Sequence, residues 1–469
     1  PHHKTLGSYW LIALSIRLFG NSELALRLPS ILSSFLCLIT SYSIALKITN
    51  RKSALISLFS LSSMPLWIQY SRYASPDLPF VLCILLVLLF FLKSLDSLEN
   101  RSQYFYLFCS GLFISISFFI RSYMAFVPLI GLVPFIFYQL FKKEYTFKLF
   151  FCLGIFFGSI PTCLNLYFSF QKYGITGITT LFDFAKKQAV GQFDLNNLIL
   201  VPLNFLYLTF PIGILLFILV IFTRSNIKLN YPLLIYCYPL LSLILLLCMS
   251  TSYPHYYIFL LPSLSLIFAN CITSYSFRYS FSTSAIRISL LIILLLISCI
   301  LLFSIINYKD LVILYSYGNP LIVYILISFI VLSYLTSLRF LFEIKSLSFN
   351  LTNFFYNIII PQYISLSLFF NFGVLGNPNY KTKLFLKDPT VSSIINSNTI
   401  YLFSVDSKIQ SLLSYYLPSS RNLVVFEGIS KYKYVITSDR NLLEKFDLKQ
   451  VFIPVKKFDN HLLLMNIGE

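Results

Sequence analysis

The sequence predicts an all-α, polytopic membrane protein that carries a small α/β domain at its C-terminus. Of its 469 residues, 57% are hydrophobic and 11% are charged, with a mean hydropathy of +0.80. A soluble chain carries about 25% charged residues. Apolar runs recur at lengths near the roughly 20 helical residues that cross a bilayer. After about Tyr380 the pattern changes to short segments rich in β-branched and aromatic residues, which is typical of strands.

The apolar runs predict a transmembrane domain over residues 1–373 with about twelve spans. The shorter run from Tyr9 to Phe19 is predicted to lie in the membrane interface or to re-enter the membrane. The predicted spans lie near residues 24–48, 53–70, 78–93, 104–120, 123–141, 149–170, 198–222, 231–249, 256–273, 287–306, 320–340 and 354–372.

The distribution of basic residues predicts the orientation. The chain carries a net charge of +18, and most of its Lys and Arg residues lie in short loops between apolar runs. A nucleic-acid binder would cluster them on a soluble face, so no nucleic-acid partner is expected. One set of alternate loops is richer in basic residues and is predicted to be cytoplasmic. The outer face then holds residues 1–9, the 71–77 turn, the Arg121 turn, the 171–197 loop, the 250–255 turn and the C-terminal tail.

Residues 380–469 are predicted to form a soluble extracytoplasmic α/β domain of a size at which a core can form. Two short helices are expected, at Lys408–Leu417 and Asp439–Phe446. Strands are expected at Thr399–Val405, Asn422–Glu427, Tyr432–Thr437 and Gln450–Lys456.

The first outer cluster contains Lys4, followed by the aromatic pair Tyr9 and Trp10. A cation with two rings at head-group level is suited to a lipid phosphate. The alternative is a snorkelling lysine beside an ordinary aromatic belt, which is equally compatible with the pattern.

The second cluster is the predicted turn from Tyr70 to Asp77. Here Arg72 is a candidate phosphate ligand, and Asp77 is a candidate base or metal ligand. The alternative for Asp77 is a cap on the following helix. Placing a charged side chain in or near a bilayer costs free energy, and the charged residues found there usually have an ionic partner or a functional role.

Two further clusters lie between apolar runs. Arg121 stands in a very short turn, where it needs an anion or a set of carbonyl groups. Around His255, the segment Tyr253–Tyr257 offers rings that suit a sugar or lipid, in particular His255 and Tyr256. An aromatic belt is again the alternative. No glycine-rich nucleotide loop is present, so a donor is expected to arrive through the membrane.

The Phe19–Ser30 string and the Ser71–Asp77 turn, with His3-Lys4 and more weakly Arg121 and the His255 segment, carry a family resemblance. Together they resemble the membrane-embedded GT-C glycosyltransferases of the family 39 type, which include protein O-mannosyltransferases and bacterial lipid A aminoarabinose transferases. The resemblance implies transfer of a sugar from a polyprenyl-phosphate donor to a lipid, glycan or protein acceptor, with inversion, at the outer face of a bacterial inner membrane.

By this resemblance, Lys4, Arg72 and Arg121 bind the donor phosphate, and Asp77 is the second acidic residue of the site. The family usually has Lys-Pro-Pro where this chain has Lys4-Thr5-Leu6. The family's principal acidic residue would lie upstream of Pro1, so the chain is expected to be an N-terminally truncated form. On that view the chain as given is inactive, and the preceding residues supply one more span and the general base.

No cofactor is required by the sequence, although a divalent cation is a candidate. An imidazole and a carboxylate make a mixed N/O ligand set of the kind that binds zinc-like ions, so His3 and Asp77 are candidate metal ligands. A surface histidine and a helix cap are the simpler alternative.

Two other functions stay open from the sequence. A transporter or flippase would place charges midway through the bilayer, whereas this chain has them at the ends of spans and shows no internal repeat. A polymerase or ligase of lipid-linked glycans is chemically close to the glycosyltransferase and carries the same kinds of residue.

Overall fold

The computed structural model divides into two compact units, Pro1–Val374 and Leu375–Glu469. The structure describes residues 5–189, short pieces between 205 and 216, residues 231–249, 253–275, 356 and 359–371, and, between 382 and 466, the elements given below with their immediate flanks.

The described elements of the first unit are all helical. In chain order they are α1 (Gly7–Phe19), α2 (Glu23–Ile48), α3 (Arg51–Ser63), α4 (Pro65–Ser71), α5 (Asp77–Asp96), α6 (Asn100–Arg121), a 3-10 turn (Ser122–Ala125), α7 (Phe126–Phe141), α8 (Tyr145–Tyr173), α9 (Thr176–Ala189), a π-helical turn (Leu233–Cys237), α10 (Tyr238–Cys248), a 3-10 segment (Pro254–Leu260), α11 (Leu261–Tyr275) and α12 (Ile360–Asn371).

Four stretches are long and apolar enough to cross a membrane: Glu23–Ile48, Asp77–Asp96, Asn100–Phe141 and Tyr145–Tyr173. The third has 42 residues because it contains α6, the 3-10 turn and α7, which correspond to two of the predicted spans. The chain is therefore a multi-pass membrane protein. The predicted spans at 287–306 and 320–340, and most of the one at 198–222, fall outside the described residues, so the predicted number of twelve is confirmed only in part.

The predicted span at 53–70 is wrong as a single helix. Helix α3 ends at Ser63, Met64 is extended with ψ 133°, and α4 begins at Pro65. A proline has no N–H to donate and disfavours the helical conformation in the residue before it, so the helix breaks at this point. The break turns the chain just before the Tyr70–Asp77 turn.

The predicted outer loop at 171–197 is also only partly right, because it contains α9. Helix α8 continues to Tyr173, and Gly174 ends it with a φ of 61°, a conformation that favours glycine. Leu181 of α9 is buried and Phe182 contacts the ring of Tyr123, at 5.6 Å between centroids. The segment is amphipathic, so it lacks the long apolar run that marks a span, and it was predicted as a loop.

Glycine residues set the spacing between α6 and α8. A Cβ atom on Gly111 would lie 2.1 Å from the carbonyl oxygen of Phe151, and one on Gly154 would lie 2.1 Å from that of Phe108. Small residues of this kind let membrane helices approach closely. The hydroxyl of Ser115 then donates to the carbonyl of Ile155 across the same contact, at 2.7 Å.

The second unit contains a five-stranded sheet in the order β2-β1-β3-β5-β4. Strands β1 and β2 are parallel, as are β1 and β3, whereas β3 and β4 each run antiparallel to β5. The described elements are α13 (Pro389–Ser397), β1 (Tyr401–Phe403), α14 (Ser407–Tyr416), β2 (Arg421–Asn422), β3 (Tyr434–Thr437), β4 (Phe452–Phe458) and β5 (His461–Asn466).

Four of these strands and α14 overlap predicted elements, which confirms part of the α/β prediction. Helix α13 and strand β5 were missed, and the predicted helix at 439–446 lies outside the described residues. Strand β5 was missed because its apolar run, Leu462–Met465, does not alternate; it is buried in the middle of the sheet.

Asp388 caps α13 and pairs with a lysine of β4. Its carboxylate accepts the backbone N–H of Thr390 at 3.0 Å and lies 2.7 Å from Nζ of Lys456. The hydrogen bond from Lys456, then that from the Thr390 hydroxyl, lowers the pKa of Asp388 from 3.8 to about 2. Because the folded-state pKa is depressed, this stabilisation is complete above pH 4 and is lost as the pH falls toward 2.

We expect Asp388→Ala to destabilise α13 by about 1–2 kcal/mol, since it removes both the cap and the ion pair. Lys456→Met removes only the half-exposed ion pair and should cost less than about 1 kcal/mol. Hydrogen exchange of residues 389–397 in the intact protein measures both variants. Equal protection in the two variants would contradict the capping role.

Candidate active site

A buried ion pair joins the ends of α5 and α6 that the sequence predicts to face outward. Nη2 of Arg121 lies 2.8 Å from Oδ1 of Asp77, and the two side chains are 7% and 5% exposed. Asp77 is the first residue of α5 and Arg121 is the last residue of α6. Since consecutive spans run in opposite directions, these two positions meet at one end of the bundle. Two residues that the sequence singled out separately are thus in contact.

The backbone beside Arg121 is strained. Ser122 has φ 56° and ψ −143°, a left-handed conformation that is rare for residues other than glycine. Such conformations cost on the order of 1–3 kcal/mol and cluster at functional sites. The turn at Ser122 ends α6 immediately after Arg121 and starts the 3-10 turn toward α7, so the guanidinium is held at the very end of its helix.

Helix α2 fixes the turn that precedes Asp77. The hydroxyl of Ser30 donates to the carbonyl of Ser75 at 3.1 Å, and the backbone N–H of Ser75 lies 3.3 Å from the same hydroxyl oxygen. Ser22 caps the start of α2 by accepting from the N–H of Ala25. The Phe19–Ser30 string and the 71–77 turn, which are far apart in sequence, therefore form one piece of structure.

Tyr70 connects the ion pair with the aromatic cluster. Burial, then the negative charge of Asp77, raises the pKa of Tyr70. Its ring lies 5.4 Å from that of Tyr73 and 5.9 Å from that of His255, centroid to centroid. Tyr70 was not among the predicted site residues, although its place at the start of the charged turn was a usable signal.

His255 lies in an aromatic stack. Its ring is nearly parallel to that of Tyr253, at 5.6 Å and 8°, and edge-on to that of Tyr256, at 4.6 Å. Tyr253 is exposed, His255 is partly exposed, and Tyr256 is buried. The buried Tyr256 therefore packs edge-on against His255, and Tyr253 is the exposed member of the stack.

Arg72 lies on the same turn and is partly buried. Burial, then the positive charge of Arg27, lowers the pKa of Arg72. Its guanidinium carbon lies 5.6 Å from the ring centre of Phe370 on α12, a cation–π arrangement. Tyr73 lies near both arginines. Arg27 itself pairs with Glu23, with 2.9 Å between Nη2 and Oε2.

Two of the predicted residues, His3 and Lys4, lie outside the described residues, and Tyr9 is exposed on α1. The hydroxyl of Thr5 donates to the carbonyl of Phe118 at 3.2 Å, so the chain next to Lys4 contacts the last turn of α6. Among the described residues, no three or more His, Cys, Asp or Glu side chains cluster closely enough to hold a metal ion. The described residues alone therefore do not form a metal site, and a His3–Asp77 metal site stays a prediction.

The N-terminal third of the chain matches a known protein family. The model of the dolichyl-phosphate-mannose-protein mannosyltransferase family matches residues 3–163, which include Asp77, Arg121 and the turn between α4 and α5. An uncharacterised protein of Aquifex aeolicus (strain VF5) is 37% identical over 78 residues, a match that spans 16% of this chain and 16% of that protein.

Solved structures match over nearly the whole chain. The crystal structure of ArnT from Cupriavidus metallidurans bound to undecaprenyl phosphate superposes with a TM-score of 0.74 at 13% identity, covering 100% of this chain and 88% of that one. Its apo form gives a TM-score of 0.70 at 12% identity, covering 99% and 88%. At this identity the match establishes the fold. The resemblance seen in the sequence is therefore confirmed: the chain is a multi-pass membrane protein of the GT-C fold, similar to glycosyltransferases of the family 39 type.

Proposed function

We propose that this protein transfers a sugar from a polyprenyl-phosphate donor to a lipid, glycan or protein acceptor at the outer face of a bacterial inner membrane, with inversion at the anomeric carbon. The buried Asp77–Arg121 pair is the observation that carries the proposal. The fold likeness to a protein crystallised with undecaprenyl phosphate supports the donor class.

Arg121 suits a leaving phosphate. When the glycosidic bond breaks, negative charge grows on the phosphate oxygens, and preorganised cations in a water-poor site stabilise it strongly. A guanidinium has five N–H groups, and a single carboxylate accepts only some of them. Arg121 can therefore hold Asp77 and a phosphate oxygen at once. Arg72 on the neighbouring turn is proposed as a second phosphate ligand, and Lys4 as a third.

Asp77 is proposed as the second acidic residue of the site, and its pairing suggests how it acts. Held against Arg121 at 2.8 Å, the carboxylate fixes the direction in which the guanidinium points. Without it, Arg121 would be a mobile cation at a helix end. A charge of fixed position costs no reorganisation when the bond breaks.

The aromatic stack is proposed to contact the donor or the acceptor. The rings of Tyr253 and His255 are nearly parallel, and that of His255 lies 5.9 Å from the ring of Tyr70, centroid to centroid. Rings of this kind suit the apolar face of a sugar or the first isoprene units of the donor. Tyr9, exposed on α1, is proposed to seat at the level of the lipid head groups.

A transfer assay tests the function. The full-length protein is purified and incubated with radiolabelled polyprenyl-phosphate sugars and a membrane lipid extract, and label in a new product is measured. Arg72→Gln should lower transfer about tenfold to a hundredfold, the loss expected for one charge-assisted hydrogen bond, with unchanged protein level. Arg17→Gln, which changes an exposed arginine on α1, is the matched control.

Two results would contradict the proposal. The first is sugar transfer by the folded Arg72→Gln variant at the level of the unaltered protein. The second is movement of the labelled lipid between the leaflets with no sugar leaving its phosphate, which would make the protein a flippase.

A further inference from the structure

A second site lies at the opposite end of α6. A cleft of about 340 Å³ opens between the first turns of α6 and α8. Helix α6 has 22 residues, which at about 1.5 Å each separates its two ends by the thickness of a membrane core. The cleft is lined by Arg101, Tyr104, Phe105, Phe108, Phe150 and Leu153.

The cleft is lined mainly by apolar side chains, two of which are stacked aromatic rings. The rings of Tyr104 and Phe150 are stacked at 4.7 Å and 7°, and the hydroxyl of Tyr104 donates to that of Thr146 at 3.4 Å. Phe105, which is exposed, forms a wall. Deeper along the helices, the glycine contacts bring α6 and α8 together and close the cleft. Its shape is thus set by helix packing and does not depend on a loop.

One charged side chain, that of Arg101, is among the residues that line the cleft. Arg101 is exposed on the first turn of α6. Of the acidic groups described nearby, Asp96 pairs with Lys47, and the exposed Glu99 accepts the hydroxyl of Ser102 at 3.3 Å. Neither of these two carboxylates lines the cleft, whereas Arg101 does. An apolar cleft that ends at a guanidinium is complementary to a lipid that has an apolar acyl chain and an anionic head group.

We propose that this cleft binds an anionic phospholipid of the inner leaflet. One acyl chain lies along Phe105, Phe108 and Leu153, and the head-group phosphate pairs with Arg101. The leaflet follows from the predicted orientation, in which this end of α6 belongs to the basic, cytoplasmic set of loops. Anionic lipids are attracted to basic residues at that surface. The site is separate from the outer-face chemistry and goes beyond the proposed function.

Lipid retention tests the proposal. The protein is placed in nanodiscs of equal phosphatidylglycerol and phosphatidylcholine and extracted in detergent, and the lipids that stay bound are quantified by mass spectrometry. The unaltered chain should retain mainly phosphatidylglycerol, and Arg101→Gln should lower that preference about tenfold. Lys148→Gln is the matched control, because Lys148 lies over the ring of Phe141 and does not line the cleft.

A second variant tests whether the lipid occupies the apolar part of the cleft. Leu153→Trp fills the cleft without changing charge and should remove the retained lipid while sugar transfer continues. Retention unchanged in both cleft variants would overturn the site. An equal loss in Lys148→Gln would mean that surface charge alone attracts the lipid, and polyprenyl phosphate as the retained species would overturn the assignment to a phospholipid.

Discussion

Replacing Asp77 with alanine should destabilise the protein by about 3–5 kcal/mol, because it leaves the guanidinium of Arg121 buried without its counter-ion. The expected result is a large loss of monodisperse protein and a lower thermal midpoint in detergent. The control is Glu23→Ala, which breaks a pair of similar length, 2.9 Å, between side chains that are 41% and 38% exposed. It should cost less than about 1 kcal/mol.

The double variant Asp77→Ala/Arg121→Ala separates stability from chemistry. Removing both charges should recover much of the lost stability, since no unpaired charge stays buried. Transfer should stay lost, because the proposed phosphate ligand is gone. If the double variant recovers both stability and transfer, the pair is a structural feature only and the proposed site is wrong.

Gly154→Ala should have the second large effect. Its new Cβ atom would lie 2.1 Å from the backbone carbonyl oxygen of Phe108, which cannot rotate away, so α6 and α8 must separate. Overpacking of this kind costs typically 1–3 kcal/mol, and occasionally more. Moving α6 also moves Arg121, so transfer should fall further than the amount of folded protein.

Cys152→Ala, on an exposed face of the same helix, is the matched control for Gly154→Ala and should behave as the unaltered chain. A thermal midpoint for Gly154→Ala within a degree of the control would contradict the close helix contact.

The sequence predicted the helical class and the charged residues at the ends of spans, because bilayer crossing leaves a strong hydrophobic signal. It did not predict which charges meet. The resemblance places Asp77, Arg72 and Arg121 in one site, and the structure shows that Asp77 pairs with Arg121 at the end of the next helix. Contacts between helices depend on rotation about each helix axis, which a single sequence does not fix.

Other differences between the predicted and the observed elements have local causes. Strand β5 is apolar on both faces, so it lacked the alternation that marks a half-buried strand. The break at Met64 was overlooked because the apolar run continues through Pro65, and hydrophobicity alone does not report a missing backbone N–H. The role of Tyr70 became visible only when the turn and the segment around His255 were brought together.

The ion pair also has a consequence for how the protein is made. Asp77 and Arg121 lie on consecutive spans, so a ribosome that has delivered α6 has already supplied both charges. Phe370, which lies under the guanidinium of Arg72, and Gln362, whose amide donates to the carbonyl of Ser63 across 299 residues of sequence, arrive much later. Domains assemble from the N-terminus during synthesis, and distant contacts form last. The ion pair therefore forms early in translation, and the contacts of Phe370 and Gln362 form only after α12 has been made.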